Sequence, residues 1–300
     1  MNFYTNRQVL ITGGAGFIGS HLTQELVNLG ARVTVYDDLS TGKKENIASV
    51  RHAIRFVEGD IRDMATCLKT FKNCDIIFHL AAFISVPQSV EHPYACHDIN
   101  VNGTSTVLEA ARFNQIKHVV FSSSCAVYGN QETAVNEQTP CNPESPYAYS
   151  KWMGELYCQQ YSKYLGLKST SLRYFNVIGE RQNPYGPYAG VYAKFNEAMQ
   201  KNEPIIIYGD GTQSRDFIPV NEVVQANLLF GTSLPEFSHG QPINIATGQS
   251  QSVLNLYEQL TLMHNYKRKP LFLPERPGDL KHSSADCSLY KKIQSLRKQP

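Results

Sequence analysis

Apolar positions along this chain gather into short, nearly unbroken runs, spaced by stretches of helical length. Val9-Leu10-Ile11, Ala31 to Val35, Arg55-Phe56-Val57, Asp75 to Leu80, Lys117 to Phe121 and Ser169 to Phe175 each read as a strand. Runs of this kind, without strict alternation, are what strands covered on both faces require. Helical patterning fills the intervals: Phe17 to Leu29, closed by Gly30, and about Asp98 to Phe113. A third helix runs from Pro146 to Leu165, with Ser145 as its cap, proline at its first position and Gly166 past its end. The alternation predicts an α/β fold with a Rossmann-type, doubly wound parallel sheet.

The rhythm changes after Asn176. Residues 179–190 are rich in glycine and proline and read as loop. Val191 to Lys201, Asn221 to Phe230 and Ser252 to Met263 have helical patterning. Ile205 to Tyr208 reads as a strand, and Ile243-Asn244-Ile245 as a strand returning to the sheet. We therefore expect residues 1–176 to form a dinucleotide-binding domain, with 217–246 returning to it, and residues 177–300 to form a smaller substrate domain. The lysine-rich tail after Asp286 carries no pattern that places it.

Composition narrows the partners. Of 300 residues, 42% are hydrophobic and 18% charged, the balance of an ordinary globule. A net charge of +2, with no basic run longer than Lys267-Arg268-Lys269, gives no reason to expect nucleic acid. No apolar stretch approaches the roughly 18 residues that a membrane helix needs, so no membrane partner is expected. Seven scattered cysteines, without a C-x-x-C pair or zinc-ligand spacing, suit a reduced cytoplasm and no metal.

The first strand turns through Gly13, Gly16 and Gly19 into a helix. Backbone N–H groups and the helix dipole at such a turn favour a phosphate. The three glycines suit a tight turn, close approach to a pyrophosphate and close helix–strand packing. Asp37 ends the second strand, 18 residues past Gly19. A carboxylate there can accept both ribose hydroxyls and would repel a 2′-phosphate, which favours NAD. Ligands of open α/β sheets sit beyond the C-terminal strand ends. Here those ends carry Gly13–Gly16, Asp37, Asp60, Ala81–Ser85, Ser122–Ser124 and Tyr174–Asn176.

Tyr147 and Lys151 share a helix face four residues apart. The pair alone says little, since Tyr164 and Lys168 repeat it, but Gly166 interrupts that second copy. A lysine ammonium about 5 Å from the phenol would favour its ionised form by roughly 3 kcal/mol, or about 2 pKa units. Tyr147 could then act as a general base, with Ser124 bonding the same substrate oxygen.

Several segments together resemble the extended short-chain dehydrogenase/reductases, and within them the UDP-hexose 4-epimerases. They are TGGAGFIG at 12–19, YDDLSTG at 36–42, GDIRD at 59–63, HLAA at 79–82, SSSCAVYG at 122–129, SPYAYSK at 145–151 and RYFNVIG at 173–179. YGDGTQSRDF at 208–217 and RPGD at 276–279 resemble segments that hold a nucleotide sugar. The resemblance implies bound NAD, a UDP-sugar substrate and a homodimer built through helices near 98–113 and 147–165. It implies the catalytic set Tyr147, Lys151 and Ser124. The NAD site would draw on Gly13, Gly16, Phe17, Ile18, Asp37, Ser40, Gly42, Asp60 and Ile61, then on Leu80, Ala81, Ala82, Asn100, Ser122 and Tyr174, with Tyr147 and Lys151.

On the substrate side the resemblance implies Ser85, Ser124, Tyr147, Val191 and Asp279, with Asn176, Arg215 and Arg276 at the diphosphate and Tyr208 on the uracil. Ser283, seven residues after Arg276, would be a small gate that admits a 2-acetamido sugar. The sugar 4,6-dehydratases of the group carry an acid pair where this chain has Cys125 and Ala126, which points to simple epimerisation. Departures are Ile84, where some relatives have lysine, and a tail shorter than theirs. A UDP-uronic acid 4-epimerase, another nucleotide-sugar oxidoreductase and a non-catalytic NAD-binding protein remain as alternatives.

Overall fold

The strand Gln8–Thr12 (β1) sends Val9 and Ile11 into one apolar core and Leu10 into another. The next strand does the same: in Arg32–Asp37 (β2), Val33 and Val35 face the first core and Tyr36 the second. Successive side chains of a strand point to opposite faces. An unbroken apolar run therefore needs cover on both sides of the sheet. The computed structural model describes residues 2–185, 189–232, 237, 239–275 and 282–297.

The chain supplies that cover in order. Helix α1 (Phe17–Asn28) follows β1, and β2 leads to β3 (Ile54–Glu58), α2 (Met64–Thr70) and β4 (Ile76–His79). Two short helices, α3 (Val86–Glu91) and α4 (Pro93–His97), precede α5 (Gly103–Phe113), β5 (His118–Ser124), α6 (Pro146–Leu165) and β6 (Ser169–Tyr174). Next come β7 (Asn176–Ile178), α7 (Val191–Gln200), β8 (Ile206–Tyr208), β9 (Ser214–Pro219), α8 (Val220–Gly231) and β10 (His239–Ile245). The chain closes with β11 (Ser250–Ser252), α9 (Val253–His264), β12 (Leu271–Leu273), β13 (His282–Ser283) and α10 (Ser288–Arg297). The helix α6 has the expected bounds because its stops are local: the Ser145 hydroxyl accepts from the Ala148 N–H, and Gly166 takes a left-handed φ of 73°.

Seven strands form one parallel sheet in the order β10-β6-β5-β4-β1-β2-β3. The order reverses direction between β1 and β4, so their carboxyl ends splay apart into a crevice. The β10 strand returns to the sheet edge as expected, pairing Ile245 with Tyr174. A second, smaller sheet centres on β9, which pairs with β11, β13 and β7, and β8 pairs with β12. The tail that had no readable pattern forms α10, whose Tyr290 and Ile293 are buried in the first core. Among the described residues, no helix is long and apolar enough to cross a membrane.

Two histidines make the core sensitive to acid. His79, buried at the end of β4, bonds Thr12 Oγ1 at 2.7 Å and Thr104 Oγ1 at 3.0 Å, and His118 is buried on β5. Burial pushes each imidazole down to about 3, so both stay neutral when folded. The unfolded chain takes up those protons below pH ~6.5. Their contribution is therefore complete above that value and is lost as pH falls toward 3. We expect stability to fall by about 3–4 kcal/mol between pH 7 and pH 5 from these two residues alone. Guanidinium denaturation at both pH values checks this; an unchanged midpoint would rule it out.

Candidate active site

Beyond β1 the chain turns so tightly that only glycine fits. Gly13 has a φ of +70°, and a Cβ there would stand 2.7 Å from the Ala81 nitrogen. A Cβ on Gly19 would stand 2.1 Å from the Gly13 carbonyl oxygen, so α1 starts in direct contact with the turn. Asp37 braces the turn from β2: its Oδ2 accepts the Ala15 N–H at 2.9 Å and its Oδ1 the Leu39 N–H at 2.9 Å. Burial raises its carboxyl above the usual range, and those two bonds oppose the rise.

A cavity of ≈610 Å³ lies over these strand ends. Gly13, Gly16, Phe17, Ile18, Asp37 and Ser40 line one end, and Asp60, Ile61, Leu80, Ala81 and Ala82 the middle. Ser122, Ser124, Tyr147, Lys151 and Tyr174 line the other end, with Ser85 nearby. Two expected NAD contacts stand elsewhere. Gly42 packs against Asp37, where a Cβ would come within 2.8 Å of Oδ1. Asn100 is buried off the wall, accepting the Phe83 N–H at 2.7 Å and donating to Phe83 O at 2.9 Å and Ser150 Oγ at 2.8 Å. Asp60 is on the wall, but its carboxylate is gripped by Arg62, which holds it below the usual range.

The start of α6 delivers the catalytic candidates. The Tyr147 N–H is anchored on Ser89 Oγ at 3.1 Å, and Lys151 Nζ donates to the Ser122 carbonyl at 2.8 Å. Ser124, at the end of β5, accepts the Ala126 N–H at 3.2 Å, and its hydroxyl bears on the Tyr147 phenol, easing it downward. One expectation is corrected. Lys151 Nζ stands 6.0 Å from the Tyr147 ring centroid, and the phenol is not drawn down. Burial dominates and pushes it up to about 12, while the Ser124 hydroxyl works the other way. Burial also brings Lys151 down to about 8. For both groups the removal from water is the largest effect.

A second cavity of ≈610 Å³ adjoins the first across Val177 and Gln182. Asn176, Val191, Tyr208 and Arg215 lie on its wall as expected. Asn176 Nδ2 donates to the Asp216 carbonyl at 3.1 Å, tying β7 to β9. Ser283, on β13, is in register with Arg215 but lines neither cavity, and its carbonyl accepts the Ser250 hydroxyl at 2.9 Å. Arg276 and Asp279 lie outside the described residues.

A sequence model of the NAD dependent epimerase/dehydratase family matches residues 9–246. The chain belongs to that family. It is 40% identical to the putative UDP-glucose 4-epimerase of Methanocaldococcus jannaschii over 97% of its own length and 93% of that protein. The UDP-N-acetylglucosamine 4-epimerase of Methanobrevibacter ruminantium, solved with UDP-N-acetylmuramic acid, superposes with a TM-score of 0.91. The two are 41% identical, over 96% of this chain and 92% of the other. The Thermus thermophilus UDP-glucose 4-epimerase, solved with NAD, gives 0.85 at 35% identity over 97% and 93%. The resemblance read from the motifs is borne out at the level of family and fold.

This epimerase/dehydratase-family chain has a cavity that fits NAD. The glycine turn leaves backbone room for a pyrophosphate, and each Asp37 oxygen keeps a lone pair for a ribose hydroxyl. Sequence reasoning missed Gln182 and Lys194. Gln182 and Lys194 reach the cavity walls only through long-range packing. The seven cysteines are all free, and among the described residues no His, Cys, Asp and Glu group could hold a metal.

Proposed function

We propose that this protein interconverts the C4 epimers of UDP-hexoses, both UDP-glucose/UDP-galactose and the 2-acetamido pair. The observation that carries the reading is the convergence of Ser124, Tyr147 and Lys151 at the end of the NAD-shaped cavity beside a second cavity bearing Asn176, Tyr208 and Arg215. NAD, when bound, supplies a hydride acceptor and a positive charge beside the phenol. Tyr147 Oη takes the proton of the sugar 4-hydroxyl and later returns it, and there is no net oxidation because the hydride lent to bound NAD would come back to C4. Ser124 Oγ bonds the same oxygen. Lys151 eases the negative charge that develops on the phenol. Arg215, Asn176 and Arg276 hold the diphosphate while the 4-keto sugar turns over, as bidentate guanidinium groups suit phosphate.

Among the described residues lining the first cavity, Lys151 is the one cationic side chain, and Ile84 is exposed at 63%. A uronic acid would place its carboxylate beside such groups without a dedicated partner, which favours a neutral hexose. Incubating the protein with each UDP-hexose and separating the products tests the reading. Absence of a C4 epimer from every one would sink it.

Two further features follow. Ser283→Tyr is expected to remove activity on the 2-acetamido sugars at least tenfold more than on the plain hexoses: Ser283 lines neither cavity, but it is in register with Arg215, and a ring there would be long enough to reach the sugar as the gate reading requires. Equal loss on both, measured as kcat/KM, would refute the gate. One face of α6 exposes Tyr149, Met153 and Leu156, with Val90 on α3 and Tyr94 on α4. A second copy of the chain would cover this apolar surface as a dimer, measurable by light scattering.

A further inference from the structure

The mechanism leaves one buried charged pair unused. Glu155 is 1% exposed and lies on α6 four residues beyond Lys151 and eight beyond Tyr147. Arg173, on β6 and 3% exposed, grips it twice: Nε donates to Oε1 at 2.8 Å and Nη2 to Oε2 at 2.6 Å. Glu155 Oε1 also accepts the Ser123 hydroxyl. Nη2 of Arg173 further reaches Cys141 Sγ at 3.2 Å, and the guanidinium carbon stands 4.6 Å from the Tyr128 ring centroid. The strand register sets Ser123 opposite Arg173 and Ser124 opposite Tyr174.

The three serines that end β5 are thus each met by α6. The Ser122 carbonyl accepts from Lys151, the Ser123 hydroxyl donates to Glu155, and Ser124 shares the cavity wall with Tyr147, whose phenol it influences. As a source of stability, a buried ion pair is no better than an apolar pair of the same volume. Its directional bonds do something an apolar pair cannot, which is to fix a strand end against a helix. We infer that the Glu155–Arg173 pair is a positioning element for the reaction. Through Ser123 it sets where Ser124 stands relative to Tyr147 and Lys151. The inference rests on the epimerase reading above.

Two variants separate positioning from scaffolding. Ser123→Ala cuts only the link to β5 and leaves Glu155 bonded to Arg173. It should stay folded and melt only a few degrees below the wild type, the cost of one hydrogen bond to a carboxylate that keeps its two bonds from Arg173. Its kcat should nevertheless fall about tenfold, because small misplacements of reacting groups are costly, while KM changes less than about twofold. The double variant Glu155→Leu/Arg173→Met should melt near the wild type yet keep the lowered kcat. Amide hydrogen exchange at 122–125 should quicken in both. Wild-type kcat or wild-type exchange at 122–125 in a folded Ser123→Ala protein would overturn the inference. If the wild-type chain itself epimerises no UDP-hexose, the functional reading falls, and the exchange measurement still decides whether the pair holds β5.

Discussion

Replacing Tyr147 with phenylalanine is expected to lower kcat by about 10²–10⁴-fold, the range for losing a positioned acid–base group. The change removes one oxygen. The half-buried ring stays in place on α6, and the anchor of the Tyr147 N–H on Ser89 Oγ involves only backbone and Ser89. Fold and cofactor content should therefore persist, as melting temperature and absorbance of the purified protein would show. The phenol stands up near 12 without ligand, so the cavity alone leaves it protonated at neutral pH. In the proposed mechanism the positive charge of bound NAD would work against that rise. If the phenylalanine protein retained wild-type kcat, Tyr147 would not be the group that moves the proton.

Arg173→Met alone is expected to destabilise the fold by about 3–5 kcal/mol, since removing one partner strands the other charge inside the protein. Glu155, at 1% exposure, would keep a carboxylate with the Ser123 hydroxyl as its remaining donor in place of three bonds. Thermal melting at pH 7 checks the size. A melting temperature equal to that of the wild type would show that the pair is not isolated from water as its burial indicates.

Much of the fold was legible because its causes are local or periodic. Apolar runs in β1, β2 and β4 announce strands covered on two faces, and Ser145, Pro146 and Gly166 bound α6 through bonds made within a few residues. The small strands of the second sheet were not legible. Ser214–Pro219 is strand only because β11, β13 and β7 pair along it, and its polar sequence carries no period-2 pattern. The tail helix α10 is likewise decided by the core that receives Tyr290 and Ile293.

The candidate site divides in the same way. Residue type and spacing were enough to single out Gly13, Gly16, Asp37, Ser124, Tyr147 and Lys151, because each motif imposes its own local geometry. Spacing could not tell that Asn100 turns its amide onto Phe83 and Ser150 instead of the cavity, or that Glu155 and Arg173 meet behind the serines. Nor could it give the protonation of Tyr147. Coulomb attraction between neighbours on a helix can be read from a sequence, whereas the loss of water around them depends on everything packed above, and at this site desolvation is the larger effect.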